Sequence, residues 1–301
     1  MNPGGSALLL GALWCWAGAC HAGLAGWCEP PRPASAAQQD RLLRFGALLK
    51  SALEESGQPL ALVSRNGIDL GRFGERYSHS GLSLRDSANG PWSVRQLYYA
   101  CDEQRPRIFD QGVAGFLLGT GDPPATYVSV VLLPPEQAEP LQRAAADNRL
   151  ALALLGPVYS ANAYAFSLAY QNCNQWVIEL LASAWGGTAD APTPRAEAQR
   201  WLAQQDYQPH LFEVGWQPLM WAAPYILGLH VDDHPAADLA AKQFRVSMPS
   251  SIEDFVHARV PGAQRIELCL RGSRMVMRRG WDPIAEGCEP GDGDRVVELG
   301  D

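Results

Sequence analysis

Residues 164–187 read YAFSLAYQNCNQWVIELLASAWGG. From Trp176 onward Val177, Leu180, Leu181 and Ala184 recur on one face at helical spacing, and Gly186 with Gly187 supplies a C-terminal stop. Asn172 is a favoured N-cap type, which makes Cys173 the first helical residue. Aligned peptide dipoles place about half a positive charge at a helix N-terminus, so a thiolate there is stabilised over a thiol. The thiolate is the nucleophile of cysteine hydrolases, and a Cys at the head of a helix is the arrangement they use. A lone Cys at such a position is more often a small buried hydrophobe.

A second stretch changes that balance. Residues 77–82 read YSHSGL and set His79 at the start of a strand, beside a glycine that permits close backbone approach. A neutral imidazole is well suited to take a thiol proton and return it to a leaving amine. A third polar group usually orients the ring, and the following strand, from Trp92, offers Arg95 and Gln96 with Ser93 behind them. Gln96 can accept from an imidazole N–H whereas Arg95 has no acceptor, so Gln96 is the expected orienter. The expected oxyanion donors are the Cys173 backbone N–H with Asn172 or Tyr77 nearby.

His before Cys, with Tyr164, Phe166, Tyr170, Asn172, Cys173, Asn174 and Trp176 around the sulfur, resembles the permuted branch of the papain-like fold. That branch includes the NlpC-related wall hydrolases, lecithin-retinol-acyltransferase-like proteins and PPPDE deconjugating peptidases. The motifs that carry the likeness cover residues 77–98 and 164–187. The whole chain also resembles a bacterial secreted family known only as domain of unknown function 2145, which brings no activity with it. The papain-like resemblance implies an α+β fold, an antiparallel sheet packed on helices, and attack of the Cys173 thiolate on an amide or ester carbonyl with His79 as base and then acid. It implies no metal or organic cofactor. The alternative is a non-catalytic envelope binding or assembly module on the same fold, since fold alone confers no activity. An enzyme of this design is expected to alkylate quickly at Cys173 below neutral pH; a thiol titrating near about 8.5 fits the module. A redox or metal protein would need a second cysteine near Cys173, which the sequence does not offer.

Outward from these motifs, Ala36–Ser56 has helical periodicity, Leu60–Ser64 and Ser78–Leu84 read as strands, and Asp86–Pro91 as a turn. Trp92–Ala100 is a further strand whose Trp92, Tyr98 and Tyr99 are read as packing. Tyr127–Leu133, apolar and β-branched, is a central strand, and Glu136–Leu155 a helix. Residues 188–210 are partly helical, and from Val260 short strands turn at Gly272 and Gly280. The expected organisation is a leader over 1–22, a papain-like core over 23–187 carrying His79 and Cys173, and a C-terminal extension over 188–301 packed on it. The segment Trp216–Leu229 is read as core, with a lid or a shallow membrane contact as the alternatives. His230, Asp232, Asp233 and His234 invite a metal, but lack a fourth ligand and a known spacing and read as a solvated turn. His210 and His257 have no companions and are read as structural.

Composition sets the compartment. Met1–Ala22 carries no charged side chain and holds an apolar run ending in Cys20, His21 and Ala22, the build of a secretory signal cleaved after Ala22; lipidation at Cys20 is the rival reading. Beyond it lie Cys28, Cys101, Cys173, Cys269 and Cys288. An odd count in an oxidising compartment suggests two disulfides and one free thiol. Cys269 and Cys288 flank a strand and turn and pair with each other, Cys28 takes Cys101, and Cys173 is left over; the other reading keeps all five reduced and buried. A net charge of −8 with no basic run excludes phosphate backbones as partners. No later segment is an apolar run long enough to span a bilayer. The expected address is periplasmic or secreted, and the expected substrate a cell-envelope peptide amide or, second, an acyl lipid.

Overall fold

The computed structural model describes Cys28, residues 35–119, 123–215 and 228–299, and Pro218, Met220, Ala223 and Ile226. The expected signal sequence lies outside the described residues, as does much of the stretch Trp216–Leu229, of which Met220 and Ala223 are buried. The chain is an α+β protein. Helix α1 (Ala36–Glu55) starts at a capping box, in which the Ser35 hydroxyl accepts from the Gln38 N–H and the Gln38 carbonyl oxygen accepts from the Ser35 N–H. Leu42, Phe45, Leu49 and Leu53 form its buried stripe.

Strands β1 (Leu60–Arg65), β2 (His79–Leu84), β3 (Ser93–Ala100), β4 (Arg105–Gln111), β5 (Thr126–Leu132), β8 (Gln264–Arg271), β9 (Arg274–Arg279) and β10 (Arg295–Glu298) make one antiparallel sheet. Its order is β10-β9-β8-β5-β1-β2-β3-β4. The expected central strand is therefore interior, paired with β1 on one side and β8 on the other. Successive strand side chains point to opposite faces, and the residues divide accordingly. Leu60, Leu62, Leu82, Leu84 and Val131 join one core, with helices α3 (Pro135–Ala146), α4 (Asn148–Ala153), α5 (Cys173–Trp185), α6 (Pro194–Gln204) and α8 (Pro249–Arg259). Ala61, Val63, Val94, Val128 and Val130 join the other, with α1 and α2 (Val113–Leu118). The C-terminal segment thus contributes three strands to the sheet as well as helix α8.

Where an expected element differs, the reason is local. The helix expected over 136–155 breaks at Asp147, whose carboxylate accepts from the N–H of Arg149 and Leu150 and so begins α4. Strand β4 has no apolar alternation to read because it is the sheet edge, where Pro106 needs no ladder partner for its nitrogen. A short hairpin of β6 (His210–Glu213) and β7 (Gln243–Val246), with helix α7 (Ala236–Ala240), leads into α8. Disulfides join Cys28 to Cys101 and Cys269 to Cys288, leaving Cys173 the free cysteine among the described residues. Both bonds fit an oxidising compartment. No helix among the described residues is long and apolar enough to cross a membrane.

Candidate functional site

Asn172 caps α5 as its residue type suggests: its side-chain oxygen accepts from the Gln175 N–H at 2.7 Å. Cys173 is the first residue of the helix and is buried. The helix start is fastened to β2, because the Ser80 hydroxyl donates to the Asn174 side chain at 2.9 Å and the Asn174 amide donates to the Ser78 carbonyl at 3.3 Å. These contacts bring the backbone on either side of His79 against the residue that follows Cys173.

His79 itself faces the other way along the alternation, toward Phe116 of α2, with ring centroids 6.1 Å apart. Its Nε2 lies 2.7 Å from the Gln96 side-chain oxygen, the orienter expected from the sequence. The Gln96 amide nitrogen in turn donates to the Gln111 side-chain oxygen at 2.8 Å. That chain assigns the tautomer: Gln96 presents an acceptor, so Nε2 carries the proton and Nδ1 holds the lone pair. Gly81 makes the approach possible. A Cβ there would meet Val94 Cγ1 at 2.6 Å and the Arg95 carbonyl at 2.9 Å, holding β3 and Gln96 away from the ring. Arg95 is spent elsewhere, on Asp110 and the Ala145 carbonyl.

Between the two halves stands Arg65, in register with His79 and buried. Its guanidinium donates to the Tyr98 hydroxyl at 2.6 Å, and the Tyr98 ring packs 4.8 Å from the imidazole. The Tyr159 hydroxyl reaches the Cys173 sulfur. Among the described residues no hydrogen bond joins that sulfur to the imidazole: Cys173 belongs to the core of α5 while His79 packs toward Phe116 in the other, and the charge of Arg65 acts on both. Burial, then the charge of Arg65, lowers the imidazole to about 3, against the pull of Gln96. Burial also raises the thiol to about 11, although Arg65, the N–H groups of Asn174 and Cys173 and the Tyr159 hydroxyl all act to lower it. The helix-start expectation of a low thiol pKa is thereby corrected. The dipole is present, but desolvation outweighs it, and the resting pair is neutral thiol and neutral imidazole.

The chain matches the model of a bacterial family described as "Uncharacterized protein conserved in bacteria (DUF2145)" over residues 52–256, which include His79, Gln96 and Cys173. It belongs to the DUF2145 family. No curated protein and no solved structure matches it.

Other expected residues of this DUF2145 protein lie apart from the sulfur or are already occupied. Tyr77 gives its hydroxyl to Glu267 and accepts from Arg265 at 3.0 Å, which places it in a separate polar cluster. Asn172 has no donor left for an oxyanion, because its amide nitrogen serves the Ala161 and Ser247 carbonyls, both at 3.3 Å. Tyr159 takes the place of both beside the sulfur; it lies in a loop with no periodicity that could have marked it. His234 donates to the Asn162 carbonyl at 2.7 Å, Asp233 accepts from the Tyr164 N–H at 2.9 Å, and His230 stacks on Tyr170 at 3.9 Å. The 230–234 loop therefore clamps the segment that leads into Cys173. Among the described residues no group of three His, Cys, Asp or Glu side chains could hold a metal. His257 stacks on Trp281, while His210 has a companion after all, the Glu75 carboxylate at 2.6 Å.

The depressed imidazole fixes a pH dependence. The unfolded residue titrates near 6.5 and the folded one near 3, so in between the unfolded chain binds the extra proton. His79 therefore withdraws stability as pH falls through that window, by about 1.4 kcal/mol per pH unit. Urea unfolding at about pH 6 and about pH 5 should give a stability difference between the wild-type protein and His79→Gln that changes by this slope, a comparison in which the other shifted groups, among them Glu179, Glu253 and His234, cancel.

Proposed function

We propose that this protein is an exported thiol hydrolase of amidase or peptidase type, on a permuted papain-like (NlpC-related) arrangement. The observation that carries the reading is the His79–Gln96–Gln111 hydrogen-bond chain, which leaves Nδ1 as a base on the strand whose neighbouring residues hold the start of the Cys173 helix. In the proposed reaction the sulfur and the ring come within hydrogen-bond reach when substrate binds, and Nδ1 takes the thiol proton as the sulfur attacks an amide or ester carbonyl. The Cys173 N–H and the Tyr159 hydroxyl are the donors available to the oxyanion. The imidazolium so formed lies near Arg65 and gives up its proton readily to the leaving amine or alkoxide. Water or another acceptor then releases the acyl group from sulfur. Residues 23–187 carry the site and 188–301 pack around it. Export through a leader cleaved after Ala22 gives cell-envelope peptide amides as the first substrate class and acyl lipids as the second. The chemistry requires no cofactor.

One observation favours a second reading, a non-catalytic envelope module: the sulfur and the ring are buried, neutral at rest and not hydrogen-bonded to each other. Acyl trapping separates the two. Incubation with p-nitrophenyl acetate should add one acetyl group, located at Cys173 by peptide mass, and none in Cys173→Ala. Absence of the adduct, or an adduct at another residue, would overturn the hydrolase reading and leave the module.

A further inference from the structure

A cleft of about 980 Å³ opens beside the end of β1, separate from the Cys173 site. Tyr77, Tyr127 and Trp281 wall it. Among the described residues six carboxylates line it, Asp69, Glu75, Glu253, Asp254, Glu267 and Glu286, against three arginines. Those arginines are already engaged. Arg76 pairs with Glu267 at 2.9 Å and Glu286 at 2.6 Å, Arg265 pairs with Glu253 at 3.0 Å and Glu267 at 3.4 Å, and Arg271 turns to Glu289 at 3.6 Å. Glu75 is left with no arginine, although it is only 2% exposed. One of its oxygens, Oε1, takes His210 Nδ1 at 2.6 Å and the Ser250 hydroxyl. The other, Oε2, has no partner among the described residues.

A buried carboxylate oxygen without a donor is costly, because desolvation is not offset by a hydrogen bond. Something that donates to it would recover that loss. We infer that this cleft binds a ligand bearing a primary ammonium group, which donates to Glu75 Oε2. Three features select that chemistry. A hard divalent cation wants several oxygen ligands at once, and no three-ligand group stands among the described residues. A guanidinium prefers both oxygens of a carboxylate in a fork, whereas Glu75 offers one; an ammonium is a point charge with three donors. The aromatic wall then suits the remaining positive surface, since a ring face attracts a cation. Asp254, exposed and with no ion pair among the described residues, lies on the same cleft and adds to the attraction, although partial desolvation and then the nearby Glu75 charge hold its carboxyl above the usual range. The site is independent of the hydrolase reading.

The test uses cadaverine as the cationic probe and glutarate as its anionic counterpart, with binding followed by calorimetry on the disulfide-intact protein. Cadaverine should bind saturably below about 20 mM while glutarate does not, and Glu75→Gln should weaken cadaverine about tenfold or more. Asp254→Asn, at an exposed position, should weaken it by a smaller factor and serves if Glu75→Gln does not fold. Equal binding of the two probes, no saturation with cadaverine, or cadaverine affinity unchanged in the variants that fold would overturn the inference.

Discussion

Replacing Arg195 by Ala should lower the free energy of unfolding by about 3–5 kcal/mol, a large part of the usual stability of a domain. The reason is what the side chain leaves behind. Its Nε pairs with Glu179, which is fully buried on α5, at 3.0 Å, and its terminal nitrogens donate to the carbonyls of Leu168 at 3.0 Å, Ser167 at 3.1 Å and Tyr170 at 2.6 Å. Gln171 and Gln199 complete the shell of the carboxylate, at 2.5 and 2.7 Å. Burial already raises Glu179 above the usual carboxylate range despite Arg195, so deleting the guanidinium strands a charge and three carbonyls together. Urea unfolding gives the number. In a Glu179→Gln background the same deletion should cost less, since no charge is stranded, and Arg195→Lys should rescue poorly because an ammonium cannot reach all four acceptors at once. If the deletion costs less than about 1 kcal/mol, the clamp is incidental. The carbonyls concerned belong to the segment that ends at Cys173, so the same variant should slow reaction at the sulfur.

That clamp also shows which parts of the molecule a sequence can disclose. Asn172, Cys173 and the stop at Gly186 are read from adjacent residues, because a cap and a periodic face are local properties. His79 and Gln96 are legible one step further out, since a strand start, a glycine and an amide acceptor on the next strand leave few partners for the ring. Arg195, by contrast, sits in a polar, Ala-rich stretch, and nothing around it signals Glu179 or three distant carbonyls. Tyr159 is hidden for the same reason. Tyr77 looks like a site residue by proximity to His79, yet it precedes β2 and the Glu267–Arg265 cluster draws it into another cavity wall. The thiol pKa was the least legible feature. The helix start is visible in the sequence, but the desolvation that outweighs it comes from packing among α5, β2 and the 158–171 loop.

Alkylation of Cys173 by iodoacetamide should be nearly independent of pH between about 5 and 9 in the wild-type protein, and in His79→Ala should rise about tenfold per pH unit. With the thiol near 11 and the imidazole near 3, neither group changes charge over that range. At neutral pH the thiolate is only about one part in ten thousand, so direct thiolate attack is slow. A neutral imidazole that removes the proton during attack supplies a route whose rate follows no ionisation; a ring near 3 is a weak base for a thiol near 11, so the hydrolase reading requires the two values to approach each other as the reagent binds, and general-base assistance then typically contributes about 10²–10⁴-fold. His79→Ala should therefore lose about a hundredfold or more near pH 7, and the two profiles should converge as pH approaches the thiol pKa. The variant should leave that pKa in place, since a ring that is neutral at rest lends the thiolate no charge. Arg65→Met should raise it instead, because Arg65 is the strongest influence drawing the thiol down. A wild-type profile with the same tenfold slope as the variant would mean that the ring never receives the proton, and the buried cysteine would then be packing alone.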